Sequence, residues 1–309
     1  MRILLSRSVL ASHWSNQRWA ALVLALSLMM AASVNAKPRL HVLLTNDDGY
    51  SAPGITAMHE ALLNAGYTVS VAAPRDQQSG SSMRVTLGPL VVDKIKDNFW
   101  AITGTPADSV SFALQKILLE HRPDIVISGI NFGQNLGTNT NLSGTVGAAI
   151  MATHLGVPAI AVSVGLDLAE AEAKPIRFPS TMTAFAPAAD FLVRLLSHLE
   201  KNRIGSDNVL PAGKLLNVNY PALPVAKIKG VRLANVARVG GFVPLYLDTE
   251  VSGKYKATLT HGNPADDSVT DPDTALFADG YITISVLDGE LGDASEPGQQ
   301  LQNRLRTLF

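Results

Sequence analysis

The chain has 309 residues, a formal net charge of −1 and no cysteine. This length allows one large domain or two small ones, and the missing cysteine excludes a disulfide framework, a thiolate nucleophile and a cysteine-based metal site. The near-neutral charge, without a block of basic residues, argues against nucleic acid as the main partner.

The first 36 residues differ from the rest of the chain and predict a secretory signal peptide. They contain three arginines and no acidic residue, and an apolar stretch runs from Trp19 to Ala32. Small side chains at Val34 and Ala36 then precede Lys37, a pattern typical of a signal-peptidase site. We therefore predict cleavage after Ala36 and an exported, periplasmic protein without a stable membrane anchor. An uncleaved anchor is the alternative, although the apolar run is short for a span of about 20 residues.

Residues 37–309 alternate strand and helix patterns, which predicts a single α/β domain. The run 39–45 is apolar enough for a buried strand, and the segment 54–66 places Ile55, Met58 and Leu62 on one helical face. The alternation predicts a Rossmann-like, three-layer core with a mostly parallel sheet. Further strands are predicted at 67–74, 124–129, 158–164 and 215–221, and further helices at 104–121, 143–156 and 178–199.

After Ala237 the pattern changes to hairpin-like pieces and turn residues without a clear helix. We interpret residues from about 238 to 278 as a C-terminal β-hairpin arm, and 281–287 as a strand that returns to the main sheet. Because an isolated hairpin is at best marginally stable in water, we expect the arm to pack on a second subunit.

Three polar loops follow the predicted strands at the edge where parallel sheets bind ligands. Asp47 and Asp48 follow the first strand, whereas the loops 74–82 and 129–145 follow the next two and are rich in Gly, Ser and Asn. Carboxylates combined with neutral Ser and Asn oxygens suit Mg²⁺, Mn²⁺ or Ca²⁺ rather than zinc, and a cation would relieve the repulsion between paired acids. On its own, an Asp-Asp-Gly run is more often an ordinary turn.

The cluster Ser143, Gly144 and Thr145 opens the predicted helix at 143–156. Its ordinary interpretation is a helix N-cap. The free N–H groups of a helix N-terminus also receive phosphate well, and a glycine there lets a ligand approach the backbone closely.

The chain resembles the SurE family of nucleotidases over roughly residues 39–290. The segments that carry the resemblance, in the family's order and spacing, are LLTNDDGYSAPGI, PRDQQSGSS, GTPADSV, RPDIVISGINFGQNLG, SGTVGAA and GYITISVL. The resemblance implies a divalent-cation-dependent 5′/3′-nucleotidase, or stationary-phase acid phosphatase. It also implies a homodimer or tetramer assembled through the arm.

The same resemblance implies one divalent cation per subunit, Mg²⁺ or Mn²⁺ in the first place. The metal ligands that it implies are Asp47, Asp48, Ser79 and Asn131. The residues that it implies against the substrate phosphate are Asn135, Ser143, Gly144 and Thr145. The implied catalytic residues are Asp47, Asp48 and Asn135.

Three features of this chain depart from the family. PRDQQSG stands where PDRNRSG is more usual, GQN stands where GPN is more frequent, and most members lack a signal peptide. The first two departures concern substrate preference and the third concerns location, whereas the implied metal site is unaffected.

The predicted chemistry is attack of a metal-bound water on the phosphorus of a nucleoside 5′- or 3′-monophosphate. The three loops contain no histidine and the chain contains no cysteine, which argues against a phosphoenzyme on either residue type. Two alternatives stay open at this point: an exopolyphosphatase, and a non-catalytic periplasmic nucleotide-binding protein.

Overall fold

The computed structural model describes residues 39–173, 175, 177–203, 209–261, 269–290 and 296–306. Residues from Leu40 onward belong to one structural unit. The predicted signal peptide lies outside the described residues. Among the described helices, none combines the length and the apolarity that crossing a membrane requires.

Within the described residues of this unit there are a nine-stranded sheet and six α-helices, and two further strands pair with each other as a hairpin. The strands of the main sheet are β1 (His41–Thr45), β2 (Thr68–Pro74), β3 (Val92–Lys96), β4 (Phe99–Ile102), β5 (Ile125–Phe132), β6 (Ala159–Val164), β7 (Leu215–Tyr220), β8 (Val231–Leu233) and β11 (Ile282–Leu287). The hairpin strands are β9 (Phe242–Asp248) and β10 (Tyr255–His261). The helices are α1 (Pro53–Asn64), α2 (Pro106–Phe112), α3 (Gly144–His154), α4 (Pro179–Lys201), α5 (Asp273–Ala278) and α6 (Glu296–Leu305).

The strand order of the main sheet is β3-β4-β2-β1-β5-β6-β7-β11-β8. The run from β4 to β7 is parallel, and only β3 against β4 and β11 against β7 are antiparallel pairs. The mostly parallel sheet and the return of the last strand to it are therefore confirmed. From β1 the chain builds outward to β2 and β4 on one side and then starts again with β5 on the other. The switch point, where such sheets bind ligands, consequently lies between β1 and β5.

Apolar side chains fill both faces of the sheet, which gives the predicted three layers. Leu44 packs with Ile55 of α1 and Leu192 of α4 on one face, whereas Leu43 packs with Val146 of α3 on the other. Adjacent residues of a strand point to opposite faces, so β1 needs both leucines and is buried from both sides.

The structure differs from the predicted elements at two places in the first half of the chain. The hairpin β3–β4 was not predicted, because Val92–Lys96 is a largely exposed edge strand with two lysines and no apolar alternation. Charged edges of this kind discourage pairing with other chains. The helix predicted at 104–121 is α-helical only to Phe112 and continues as a π-helical turn, Ala113–Ile117.

The segment assigned to the arm is also more varied than predicted. The hairpin occupies Phe242–His261, and the short helix α5, which the sequence did not suggest, contacts β11 of the main sheet. The short strand β8 just before this segment was not predicted either.

Candidate functional site

A cleft of about 230 Å³ opens at the switch point of the sheet. Its wall contains residues from all three predicted loops, namely Asp47, Ser79, Asn131, Asn135 and Ser143. A larger cavity of about 450 Å³ beside α3 and β11 contains none of the predicted site residues. The chemistry of the lining, not the volume, therefore distinguishes the smaller cleft.

Asp47 is buried and is held at both carboxylate oxygens by the first turn of α3. Thr145 Oγ1 donates to Asp47 Oδ1 at 2.6 Å, and the backbone N–H of Thr145 donates to Oδ2 at 3.1 Å. Burial raises the pKa of the Asp47 carboxyl, while these hydrogen bonds act in the opposite direction. Thr145 was expected to face phosphate, but here its two donors are occupied by Asp47 and orient that carboxylate.

Asp48 ties the first loop to the neighbouring strand. The backbone N–H of Phe132 donates to Asp48 Oδ2 at 2.9 Å. Burial, followed by the charge of Asp47, raises the pKa of the Asp48 carboxyl to about 6. Both carboxylates are thus disfavoured in their charged form by the protein alone, and a nearby cation would reverse that preference.

Asn131 supplies a third oxygen that the protein leaves unsatisfied. Its Nδ2 donates to the carbonyl of Gly133 at 2.6 Å, whereas the buried Oδ1 has no hydrogen-bond partner in the described part of the chain. A buried carbonyl oxygen without a partner costs free energy, so the site favours an added ligand. Ser79 is exposed at the cleft, and its Oγ accepts from Gln77 Nε2 at 2.5 Å.

The donor set fits a hard divalent cation. No group of three or more His, Cys, Asp or Glu side chains suited to a metal occurs among the residues described. A cation in this cleft would therefore have to combine the two carboxylates with neutral oxygens, which suits Mg²⁺ or Mn²⁺.

Gly144 lets α3 approach Asp47 more closely than any other residue type would. A Cβ atom at this position would lie 2.6 Å from Ser81 Oγ and 2.9 Å from Asp47 Cβ. Ser143, the preceding residue, is the N-cap of α3, because its Oγ accepts from the backbone N–H of Val146 at 3.1 Å. Ser143 therefore both caps the helix and lines the cleft.

Asn135 lies in the loop after β5 with its backbone and its side chain both held. Its N–H donates to Asn219 Oδ1 at 2.8 Å, and its Nδ2 donates to Ser163 Oγ at 2.9 Å. Within the described part of the chain, no group donates to Asn135 Oδ1. In this orientation the side chain offers an acceptor, which suits a cation or a water hydrogen. Donation to a phosphate oxygen needs the opposite amide orientation, which the Ser163 hydroxyl can satisfy by donating instead.

One wall of the cleft contains Phe242, a residue of the predicted arm, for which the sequence suggested a role only in subunit assembly. Phe242, the first residue of β9, lines the cleft together with Leu142 and Leu166. Asn139 fixes it by two hydrogen bonds: Phe242 N donates to Asn139 Oδ1 at 2.9 Å, and Asn139 Nδ2 donates to the Phe242 carbonyl at 2.8 Å. No local pattern around Phe242 signals this position, because the contact joins segments far apart in the chain.

We expect the substitution Thr145→Val to weaken Mn²⁺ binding about tenfold, because Asp47 loses its 2.6 Å hydrogen bond while the packing volume is kept. Isothermal titration calorimetry with Mn²⁺ measures this directly. Thr153→Val is the matched control, since Thr153 lies in the same helix, is buried, and donates only to the carbonyl of Ala149. Equal affinities for wild type and Thr145→Val would contradict the orienting role of Thr145.

Comparison with known proteins relates the chain to one family. The family model described as "Survival protein SurE" matches residues 42–240. A 5′-nucleotidase SurE from Nitratidesulfovibrio vulgaris is 36% identical over 259 residues, which cover 82% of this chain and 96% of the relative. A 5′-nucleotidase SurE from Variovorax paradoxus is 36% identical over 262 residues, which cover 84% and 96%. The crystal structure of the SurE protein from Aquifex aeolicus matches with a TM-score of 0.69 and 30% identity, over 87% of this chain and 99% of that one.

Proposed function

Since the chain belongs to the SurE family, we propose that it is a divalent-cation-dependent nucleotidase that hydrolyses nucleoside 5′- or 3′-monophosphates to nucleoside and phosphate. One observation carries the proposal beyond similarity. Asp47, which is buried, and Asp48, which is half-buried, both have raised pKa values. Asp47 lines the same cleft, at the switch point of the sheet, as Asn131, whose buried amide oxygen has no hydrogen-bond partner among the described residues. An arrangement of this kind is costly to the fold and is explained by a cation and an anionic substrate.

The residues that fit the cation are Asp47, Asp48, Ser79 and Asn131. When bound, a divalent cation supplies positive charge for the phosphate oxygens and lowers the pKa of water. The oxygen-only ligand set supports Mg²⁺ or Mn²⁺ as the ion, with one ion per subunit.

The two acids have different positions and hence different roles. Asp47 is the more buried and has both oxygens bonded to Thr145, so it is a fixed charge at the positive end of α3. Asp48 is less buried and accepts one hydrogen bond, from Phe132, so it is the better placed to orient the attacking water and to accept its proton.

The remaining cleft residues bind the substrate. Asn135 orients a water molecule through Oδ1 or, with its amide reversed, donates to a phosphate oxygen. Ser143, the N-cap of α3, lines the cleft and is the residue of this turn best placed for the substrate phosphate, whereas the backbone N–H of Gly144 interacts with Asp47. Phe242, with Leu142 and Leu166, forms an apolar wall that suits a nucleoside.

Phosphate release from AMP by the protein of residues 37–309 tests the proposal. We expect release with Mn²⁺ or Mg²⁺, none after chelation with EDTA, and recovery when the metal is restored. Release from polyphosphate but not from AMP would favour the exopolyphosphatase. AMP binding without release, at any metal tested, would favour a binding protein.

We also propose that the protein is exported, on the sequence features of residues 1–36 alone. N-terminal sequencing of protein from a periplasmic fraction should give Lys37-Pro38 as the first residues. Recovery of the intact chain from the cytosol would contradict export, and a membrane-bound, uncleaved chain would favour the anchor.

We further propose that the hairpin β9–β10 joins two copies of the chain. Four apolar or aromatic side chains of the hairpin are between 40% and 69% exposed: Leu245, Tyr246, Leu247 and Tyr255. Burial of these side chains against a partner surface would stabilise the two-stranded hairpin.

Replacing residues 245–258 with a short Gly-Ser linker should convert a dimer into a monomer. The substitution keeps Phe242 and its bonds to Asn139, so Mn²⁺ affinity should stay within about threefold of wild type. Size-exclusion chromatography with light scattering is the measurement. A monomeric wild type at micromolar concentration, or a variant that still dimerises, would show that the hairpin is not the assembly device.

A further inference from the structure

The interior strand β7 contains two asparagines where the surrounding residues are apolar. All six residues of LLNVNY are buried, and Asn217 and Asn219 point to the same face because they are two positions apart. A buried amide costs free energy unless its polar atoms are bonded. The two side chains therefore need partners to be tolerated in the sheet.

Both asparagines bond to the backbone of a single residue, Asn135. Asn219 accepts from Asn135 N at 2.8 Å and donates through Nδ2 to the Asn135 carbonyl at 3.1 Å. Asn217 Nδ2 donates to the same carbonyl at 2.8 Å. Because β6 lies between β5 and β7, the loop after β5 has to cross the end of β6 to make these bonds.

Ser163 of β6 completes the set by accepting from Asn135 Nδ2 at 2.9 Å. The N–H, the carbonyl and the Nδ2 of Asn135 are then all bonded to residues of two buried strands. Among the described residues no donor reaches its Oδ1, so this atom alone is available to the cleft that Asn135 lines.

The neighbouring strand β11 shows that a buried polar side chain in this part of the sheet does not always form a hydrogen bond. Thr283 and Ser285 of β11 pair directly with Asn219 and Asn217 and are equally buried. Within the described part of the chain, the hydroxyls of both have no hydrogen-bond partner. The convergence on Asn135 is therefore a specific feature of the two asparagines and Ser163.

We propose that Asn217, Asn219 and Ser163, the asparagine clamp, are positioning residues that fix Asn135 for phosphate-ester hydrolysis. This inference rests on the proposed function, since it assigns the clamp to that reaction. The clamp acts through Asn135. Because the N–H, the carbonyl and Nδ2 of Asn135 are hydrogen-bonded, its Oδ1 has a fixed position relative to the substrate. A displacement of about 1 Å in a reacting site can reduce a rate by a factor of about 100, so a rigid support has kinetic value.

The first test compares Asn219→Ala with the wild-type protein of residues 37–309, using AMP and Mn²⁺. We expect kcat to fall about 10- to 100-fold, and KM and Mn²⁺ affinity to change by less than about threefold, because the proposed metal ligands keep their contacts. Ser163→Ala is the second variant, since it removes one oxygen and is the gentlest change to the core. We expect its kcat to fall about fivefold or more. Thr283→Val, buried beside Asn219 without a hydrogen bond, is the control and should keep wild-type kinetics.

A double-mutant cycle separates positioning from general support of the fold. If Asn219 acts through Asn135, adding Asn219→Ala to Asn135→Ala should lower kcat by less than about twofold further. The inference is overturned if the fold-loss of kcat in the double variant equals the product of the fold-losses in the two single variants. It is equally overturned by a loss in Thr283→Val as large as that in Asn219→Ala. Absence of nucleotidase activity in the wild type would reject the proposed function itself. An active wild type whose kcat is equalled by both Asn219→Ala and Ser163→Ala would reject only the clamp.

Discussion

Replacing Asp48 with asparagine should reduce kcat/KM for AMP by about a thousandfold or more, a loss of roughly 4 kcal/mol of transition-state stabilisation. The substitution removes one of the two charged ligands that we propose for the cation, and the group that we propose accepts a proton from water. Asparagine keeps an oxygen that can accept from Phe132 N–H, so the local hydrogen bond and the packing can persist. Steady-state kinetics with saturating Mn²⁺ measure the loss.

The same variant should be more stable than wild type when no metal is present. The pKa of Asp48 is raised from 3.8 to about 6 in the folded protein, so its contribution to stability is present below pH 3.8 and is lost as the pH rises through 6. At pH 7.5 the metal-free wild type therefore carries a charge that folding disfavours, by on the order of 1–3 kcal/mol. Melting in EDTA should show Asp48→Asn a few degrees above wild type at pH 7.5, with the difference vanishing toward pH 4.

Added Mn²⁺ should reverse that order, because on the proposed ligand set the ion would stabilise the wild type and would lack one ligand in the variant. Asp279→Asn is a suitable control, since Asp279 is an exposed acid at the end of α5. Full activity in purified Asp48→Asn protein would refute the metal assignment. A lower melting temperature in EDTA at pH 7.5 would instead refute the conclusion that the folded protein disfavours the charged form of Asp48.

Gly144→Ala should lower both Mn²⁺ affinity and kcat/KM about 100-fold, although alanine normally favours a helix. Its Cβ would meet Ser81 Oγ at 2.6 Å and Asp47 Cβ at 2.9 Å, so α3 must move away from the carboxylate that it orients. Overpacking of this kind costs about 1–3 kcal/mol, which a domain of this size can tolerate while staying folded. Calorimetry and kinetics on the folded variant measure the effect.

Ser81→Ala offers a way to check the cause, because it removes the nearer of the two atoms. The Ser81 hydroxyl is buried and has no hydrogen-bond partner among the described residues, so the single substitution should be close to neutral. Combined with Gly144→Ala, it should restore part of the lost affinity. Wild-type affinity in Gly144→Ala alone would show that the close approach of α3 to Asp47 is unimportant.

Local patterns and one topological rule were enough to predict the edge at which the site lies. The strands that alternate with helices consist mostly of buried apolar residues, and parallel strands direct their following loops to one edge. Asp47, Ser79 and Asn131 could therefore be expected near each other before any coordinates were known. The edge hairpin β3–β4 was not predicted because β3 is largely exposed and lacks apolar alternation, and β4 has only four residues.

The contacts that hold the site could not be predicted in the same way. The bonds from Asn217 and Asn219 to Asn135, and from Thr145 to Asp47, join residues that are more than eighty positions apart. They depend on how far one loop reaches across the sheet, which no periodicity encodes. The one visible signal was indirect: two alternating asparagines in LLNVNY, a strand otherwise made for burial.

The residues that we propose as metal ligands are far apart in the sequence, and this determines when the chain can bind the ion. Asp47, Ser79 and Asn131 line the cleft, and Asp48 lies beside Asp47; these residues belong to three segments that only the assembled β1, β2 and β5 bring together. An unfolded chain consequently offers no preformed chelator, and loading has to follow closure of the sheet. If the chain is exported before it folds, as we propose, the metal ions of the destination compartment, rather than those of the cytosol, would determine whether Mg²⁺ or Mn²⁺ is bound. Refolding the purified chain in a mixture of the two ions and analysing the bound metal would reproduce that selection outside the cell.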